Sequence, residues 1–81
     1  MKKFMLLKKG GKALHLLGDI SRDCYDAELI YVHDETDEYY IGHFAEGFGF
    51  VNVKFLKTDC RDATEEEIEI CKQGRMETLK F

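Results

Sequence analysis

The stretch Glu46-Gly47-Phe48-Gly49-Phe50-Val51-Asn52-Val53-Lys54-Phe55 alternates in the way a half-buried strand requires. Successive side chains of an extended backbone point to opposite faces. Phe48, Phe50, Asn52 and Lys54 therefore share one face, and Gly49, Val51, Val53 and Phe55 share the other. The second set is a ready core face. Gly47 and Gly49 allow the bend or bulge that a strongly curved strand needs. On this reading residues 48–56 form a barrel strand, with the phenylalanine rings wrapped over a barrel end or under a helix.

A second pattern overlies the same residues. RNA-binding sheets carry an octamer of basic, Gly, aromatic, Gly or Ala, Phe, Val, any, aromatic, and Gly47 to Val51 meet it at five of its seven specified positions. The two that fail are informative. Glu46 stands where a phosphate-pairing cation belongs, and Val53 where an aromatic belongs. The order of elements also disagrees. The segment Leu29-Ile30-Tyr31-Val32-His33 lies immediately before the preceding hairpin turn, without the intervening helix of an RNA-recognition fold and on the wrong side for a cold-shock barrel.

Upstream, residues 27–33 and 38–44 are rich in β-branched and aromatic side chains and flank Asp34-Glu35-Thr36-Asp37, a hairpin signature. With Thr36-Asp37 at the tip, Val32 faces Ile41 and His33 faces Tyr40. That register puts Ile30, Val32, Tyr39 and Ile41 on one side and Leu29, Tyr31, Tyr40 and Phe44 on the other. Together with residues 48–56 these segments make a meander, the centre of a small barrel. Towards the N-terminus, residues 3–8 read as a strand, Gly10-Gly11 as a turn, 12–20 as a second extended segment, and 21–26 as a polar loop.

Towards the C-terminus, residues 57–63 read as a charged connection. Thr64-Glu65-Glu66-Glu67 then forms a capping box opening a helix over 65–73, with Gly74 as its stop. Three glutamates in the first turn suit the positive end of the helix dipole. A helix this short needs the barrel to dock on, because isolated helices below ~12 residues are marginal. Met76, Leu79 and Phe81 could add a last strand or a partner-binding tail.

The expected architecture is thus mainly β, a small antiparallel β-barrel with a C-terminal helix, formed by residues 1–81 as one domain. A chain of this length buries only somewhat more than ~60% of the surface its unfolded form exposes. With 44% hydrophobic residues it is too apolar to be disordered, and its apolar runs are too short to span a bilayer. The opening Met1-Lys2-Lys3-Phe4-Met5-Leu6-Leu7 is too brief for a signal peptide and reads as a first strand in the cytoplasm. Cys24, Cys60 and Cys71 are odd in number and lack C-x-x-C spacing, which argues for a reducing compartment.

Charge is unevenly placed within the net −4. Lys2, Lys3, Lys8, Lys9 and Lys12 form a basic arm with no acid among residues 1–12. Residues 13–46 carry Arg22 against nine acids, including Asp34, Glu35, Asp37, Glu38 and Glu46. Such a field repels phosphates and favours basic partners. Turn acids that merely keep a small domain soluble are the alternative meaning of the same charges.

Chemistry-bearing motifs are sparse. His15, His33 and His43 with the three cysteines match no zinc spacing, so neither metal nor cofactor is expected. The cysteines read as small buried hydrophobes. No Walker loop, dinucleotide fingerprint or nucleophile elbow occurs, and no enzymatic residue set emerges.

On Tyr40-Ile41-Gly42-His43-Phe44, on Glu46 through Phe55, and on Arg61-Asp62-Ala63-Thr64-Glu65-Glu66-Glu67-Ile68, the chain resembles small proteins encoded by phages and prophages of Gram-positive bacteria. The resemblance covers the C-terminal half and implies a compact SH3-like barrel with an appended helix, without a catalytic residue to transfer. Those proteins tend to carry a proline after the Val-Lys-Phe strand, where this chain has Leu56. The expectation that follows is a non-enzymatic protein-interaction domain, a phage accessory protein that modulates or inhibits a host protein or defence factor. The acidic residues Asp34, Glu35, Asp37, Glu38 and Glu46 would meet a basic partner surface, with Tyr31 and Tyr40 as aromatic anchors. The alternative is a barrel binding single-stranded nucleic acid through exposed Phe48 and Phe50, Lys54 and the basic arm, each stacked base contributing ~1–3 kcal/mol. A monomer or small homo-oligomer fits either.

Overall fold

The computed structural model describes residues 2–24, 26–45 and 51–75. Within them, seven strands form one antiparallel sheet: β1 (Lys3–Leu7), β2 (Lys12–Leu14), β3 (Ile20–Asp23), β4 (Glu28–Glu35), β5 (Tyr39–Phe44), β6 (Val53–Leu56) and β7 (Cys60–Asp62). A 3₁₀ turn (Lys57–Asp59) precedes β7, and one helix, α1 (Glu65–Lys72), follows it. The strand order is β3-β2-β6-β5-β4-β1-β7. β4, β5 and β6 are the expected meander. Among the described residues the sheet does not close into a barrel, and β3 and β7 are its two ends.

Both faces of the sheet are apolar where they are covered. From one face Met5, Leu7, Ala13, Cys24, Ile30, Val32, Val53 and Phe55 converge into the main core, with Tyr40, Phe44 and Cys60 packed against it. Side chains from β1, β2, β4, β5 and β6 meet there, so the sheet curls around this cluster. On the opposite face Leu6, Ala27, Leu29 and Cys71 form a second cluster under Ile68 and Ile70. That smaller patch is what α1 docks on, and it is why a helix of 8 residues is stable here.

The helix is defined at both ends by its own sequence. Thr64 Oγ1 accepts from the Glu67 amide at 3.2 Å, and Glu67 Oε1 accepts from the Thr64 amide at 2.9 Å, the capping box read from the sequence. Gly74 has φ +74, which an L side chain rarely adopts. Its amide donates to Cys71 at 3.0 Å, and the Arg75 amide to Ile70 at 3.1 Å, completing a Schellman end. Arg61 of β7 binds Glu67 through two guanidinium nitrogens at 2.8 and 2.6 Å, so the same carboxylate caps α1 and ties it to the sheet edge.

This arrangement has a pH signature. Arg61 first, then the Thr64 amide, hold the Glu67 carboxyl below its ordinary value of 4.5, against the opposing effect of burial. A group depressed in the folded state contributes stability above its unfolded pKa and loses it as pH falls through the folded value. Glu67→Gln is therefore expected to lower stability at pH 7 and to flatten its pH dependence below about 4.5, as read from urea midpoints between pH 2.5 and 7.

Several expected boundaries are corrected. The segment 12–20 is two strands, β2 and the start of β3, joined by a turn in which the His15 amide donates to Asp19 at 2.7 Å and the Gly18 amide to His15 at 2.8 Å. β3 lies in the expected loop 21–26, because Arg22 and Asp23 pair with Ala13 and Lys12 despite having no apolar alternation. β7 lies in the expected connection 57–63, recruited by Met5, Leu6 and Leu7. Of residues 48–56, Phe48 and Phe50 lie outside the described residues. Val51 and Asn52 are not strand, and Val51 is 66% exposed instead of core.

The hairpin register also differs. Tyr31 pairs with His43 and Val32 with Gly42, but Asp34 pairs with Ile41 and Glu35 with Tyr40, so a β-bulge inserts one residue at His33. The bulge and a longer turn shift the strand. Tyr40 and Phe44 consequently pack on the main core with Ile30 and Val32, and do not share a face with Tyr31 as the unbulged register had them.

Candidate interaction surfaces

The outward face of the central strands carries a row of rings. Phe4 of β1, Tyr31 of β4 and His43 of β5 are directly opposite one another in the ladder. Phe4 and Tyr31 meet edge-on at 5.2 Å between centroids, and Tyr31 and His43 at 5.6 Å. His43 Nδ1 donates to the Phe44 carbonyl at 2.9 Å, which fixes its tautomer and ring orientation. Phe4 is 36% exposed, and Tyr31 and His43 are half-buried, so the row is held by its neighbours yet open to solvent. Beside it, a groove of about 130 Å³ runs between the sheet and α1, lined by Phe4, Leu29, Ala45, Ile68, Cys71 and Lys72.

The sequence marks Tyr31 as a surface anchor but not its partners Phe4 and His43. Strand alternation alone offers the signal for Phe4, since it lies opposite in parity to the core residues Met5 and Leu7. Further along the same face, His33 Nε2 donates to Asn52 Oδ1 at 3.0 Å, and Lys54 Nζ lies 4.4 Å over the Tyr39 ring. Lys54 is thus engaged with an aromatic of its own sheet.

The acidic residues are gathered at the β4–β5 tip. Asp34 accepts from the Glu35 amide at 2.8 Å, and Glu35 pairs with Lys57 at 2.9 Å. Asp37 and Glu38 are exposed in the turn, which Thr36 closes by bonding to Tyr39 in both directions at 2.8 and 3.1 Å. Tyr40 lies opposite Glu35 in the ladder and is half-buried: it packs against the main core, with Lys57 Nζ 5.1 Å over its ring. Glu46 lies outside the described residues, as do Phe48 and Phe50.

The lysines of the expected basic arm are partly spent. Lys3 and Lys8 belong to or adjoin β1, and they pair with Asp62 at 2.7 Å and Asp59 at 3.2 Å across the β7 edge. Lys2, Lys9 and Lys12 are exposed. A cationic track for a phosphate backbone is correspondingly reduced.

Near the opposite end of the main core, Arg22 donates to Glu28 Oε1 at 2.9 Å while its guanidinium lies 4.6 Å over the Phe44 ring. Glu28 Oε2 is buried without a hydrogen-bond partner among the described residues. Burial, then the Glu28 carboxylate, pushes the nearby Cys24 thiol up to about 12. Burial also pushes Cys60 up to about 12, and Cys71 is buried. Thiols so placed are poor nucleophiles at neutral pH. Titration with a disulfide reagent at pH 8 is expected to label the native protein slowly and to reach three equivalents only in urea.

Among the described residues no three His, Cys, Asp or Glu side chains converge to hold a metal ion, and no helix is long and apolar enough to cross a membrane. Compared with protein-family models, with curated proteins and with solved structures, the chain finds no match.

Proposed function

We propose that this chain is a non-enzymatic protein-interaction domain, an opened relative of the small SH3-like barrel that presents an aromatic and acidic surface to a basic partner protein. The observation that carries this reading is the Phe4–Tyr31–His43 row, solvent-open beside an apolar groove. Large rings fixed in place make good interface anchors, because little side-chain entropy is lost on binding. The exposed acids Asp37 and Glu38 add long-range attraction for a basic surface. The convergence of five strands on one curled core supports the barrel kinship. The resemblance to phage proteins extends the proposal to an accessory role in the cytoplasm, modulating or inhibiting a host protein or defence factor.

Affinity capture from a Gram-positive bacterial lysate tests it, using the wild type, Tyr31→Ala and Asp37→Lys/Glu38→Lys. A stoichiometric partner lost with Tyr31→Ala and weakened by the charge reversal is expected. Equal recovery by all three proteins would sink this surface as the interface. Single-stranded nucleic acid is the competing ligand. Anisotropy titration with a labelled oligonucleotide at low salt is expected to show no saturable binding; a transition abolished by Phe48→Ala and by salt would favour it instead.

A further inference from the structure

The two ends of the sheet are treated very differently by the chain. At one end, β7 has a strand, β1, on one side only among the described residues, but its Arg61 and Asp62 side chains are tied to Glu67 and Lys3. At the other, β3 has β2 on one side and, among the described residues, nothing on the other. All four residues of β3 are exposed.

Its outward backbone groups therefore have no strand partner among the described residues. The Cys24 amide donates to Gly11 at 2.9 Å and the Gly10 amide to Cys24 at 2.7 Å, so Cys24 is bonded inward. By the alternation of an antiparallel ladder, Arg22, paired with Ala13, is bonded inward too, and the amide and carbonyl of Asp23 point to the open edge. Natural edge strands are usually made unattractive by shortness, charge and bulges, and β3 has each of these. What such protection does not explain is the apolar surface at the end of the strand: Leu17 is 99% exposed, Ile20 56% and Leu16 51%. Three large aliphatics within five residues, beside an unpaired edge, make a docking patch.

Charge identifies the occupant. Asp19 immediately precedes β3, Asp23 ends it and Asp26 follows three residues on, all exposed and in none of the ion pairs among the described residues. Arg22, the one cation of β3, is committed to Glu28 and the Phe44 ring. A second copy of the chain would bring the same three acids against these, so self-pairing is disfavoured. We propose that the open edge of β3 is a strand-addition site for an extended protein segment in which basic and apolar residues alternate. Main-chain hydrogen bonds to β3 hold it, its basic side chains meet Asp19, Asp23 and Asp26, and its apolar ones cover Leu16, Leu17 and Ile20. This rests on the reading of the chain as a protein-interaction domain and places a partner on a surface separate from the aromatic row.

The probe is a fluorescein-labelled peptide of alternating lysine and valine, followed by anisotropy and by amide-resolved NMR on the full chain. Saturable binding is expected, with shifts confined to residues 16–26 and slowed hydrogen exchange at the Asp23 amide. Asp23→Lys/Asp26→Lys is expected to weaken it by at least about fivefold. Leu17→Ser, at a position too exposed to affect folding, should weaken it as well. A version N-methylated on alternate residues, which cannot complete a ladder, should not bind. Equal binding by the N-methylated peptide or by a glutamate–valine peptide, or no binding at all, would overturn the proposal. Shifts at Phe4, Tyr31 and His43 instead would overturn it while leaving the protein-interaction reading intact. Concentration-dependent dimerisation abolished by Leu17→Ser would replace the basic segment with a second copy.

Discussion

Gly42→Ala is expected to destabilise the folded state severely. Gly42 sits at the β4–β5 bulge, and a Cβ built there falls on the Tyr31 carbonyl oxygen, with the Tyr31 carbonyl carbon 2.8 Å and the Val32 Cα 2.9 Å away. These are backbone atoms of the central strand, so no rotamer change relieves the clash. β4 and β5 would have to separate where Val32 and Val53 flank Gly42 in the ladder. Overpacking against a flexible side chain costs ~1–3 kcal/mol, and against fixed backbone the cost is expected at about 3 kcal/mol or more. A domain of this length holds roughly 4–12 kcal/mol in total. Urea titration followed by circular dichroism should show either a much lowered midpoint or no cooperative transition. A midpoint within error of the wild type would disprove the close approach.

Phe55→Ala is expected to be the most costly truncation in the core. Phe55 is fully buried, pairs with Ala13 on one side and Tyr40 on the other, and packs edge-on against Phe44 at 5.4 Å between centroids. It therefore fills the space where β2, β5 and β6 meet. Removing a buried phenylalanine costs ~3–5 kcal/mol through lost transfer energy and the cavity left behind. That corresponds to a fall of roughly 12 °C or more in Tm for a domain of this size. Phe55→Leu, which refills most of the space, should lose much less. A loss below about 1 kcal/mol for Phe55→Ala would mean that the curled core is not closed at this point.

Local signals were the ones legible in the sequence. The capping box at Thr64 and Glu67 and the helix stop at Gly74 depend on neighbours a few positions away, and both appear in the structure where the sequence placed them. Val53 and Phe55 declared their core face by alternation. Features made by distant pairing were hidden. The polar run Ser21-Arg22-Asp23 becomes strand only because β2 lies beside it, and Cys60-Arg61-Asp62 only because β1 does. The bulge at His33 leaves no mark in composition, yet it turns Tyr40 to the side of the sheet that carries Ile30 and Val32. For the same reason the row of Phe4, Tyr31 and His43 could not be assembled beforehand. It needs the registers of β1, β4 and β5 together. The lysines of residues 1–12 read as an uncommitted arm because Asp59 and Asp62, which engage two of them, are far along the chain.

The position of β1 between β4 and β7 also dictates an order of events as the chain leaves the ribosome. β1 is the first of the seven described strands to emerge, and one of its two neighbours, β7, is the last of them. The hairpin of β4 and β5 forms from neighbours in sequence, whereas Met5, Leu6 and Leu7 must wait for Cys60, Arg61 and Asp62 before both their edges are paired. Contacts of such long span slow folding, because their loop-closure entropy is lost before they return any energy. Until Cys60, Arg61 and Asp62 are available, the apolar strand β1 is held with one edge unpaired, and an unpaired strand edge of that kind favours aggregation.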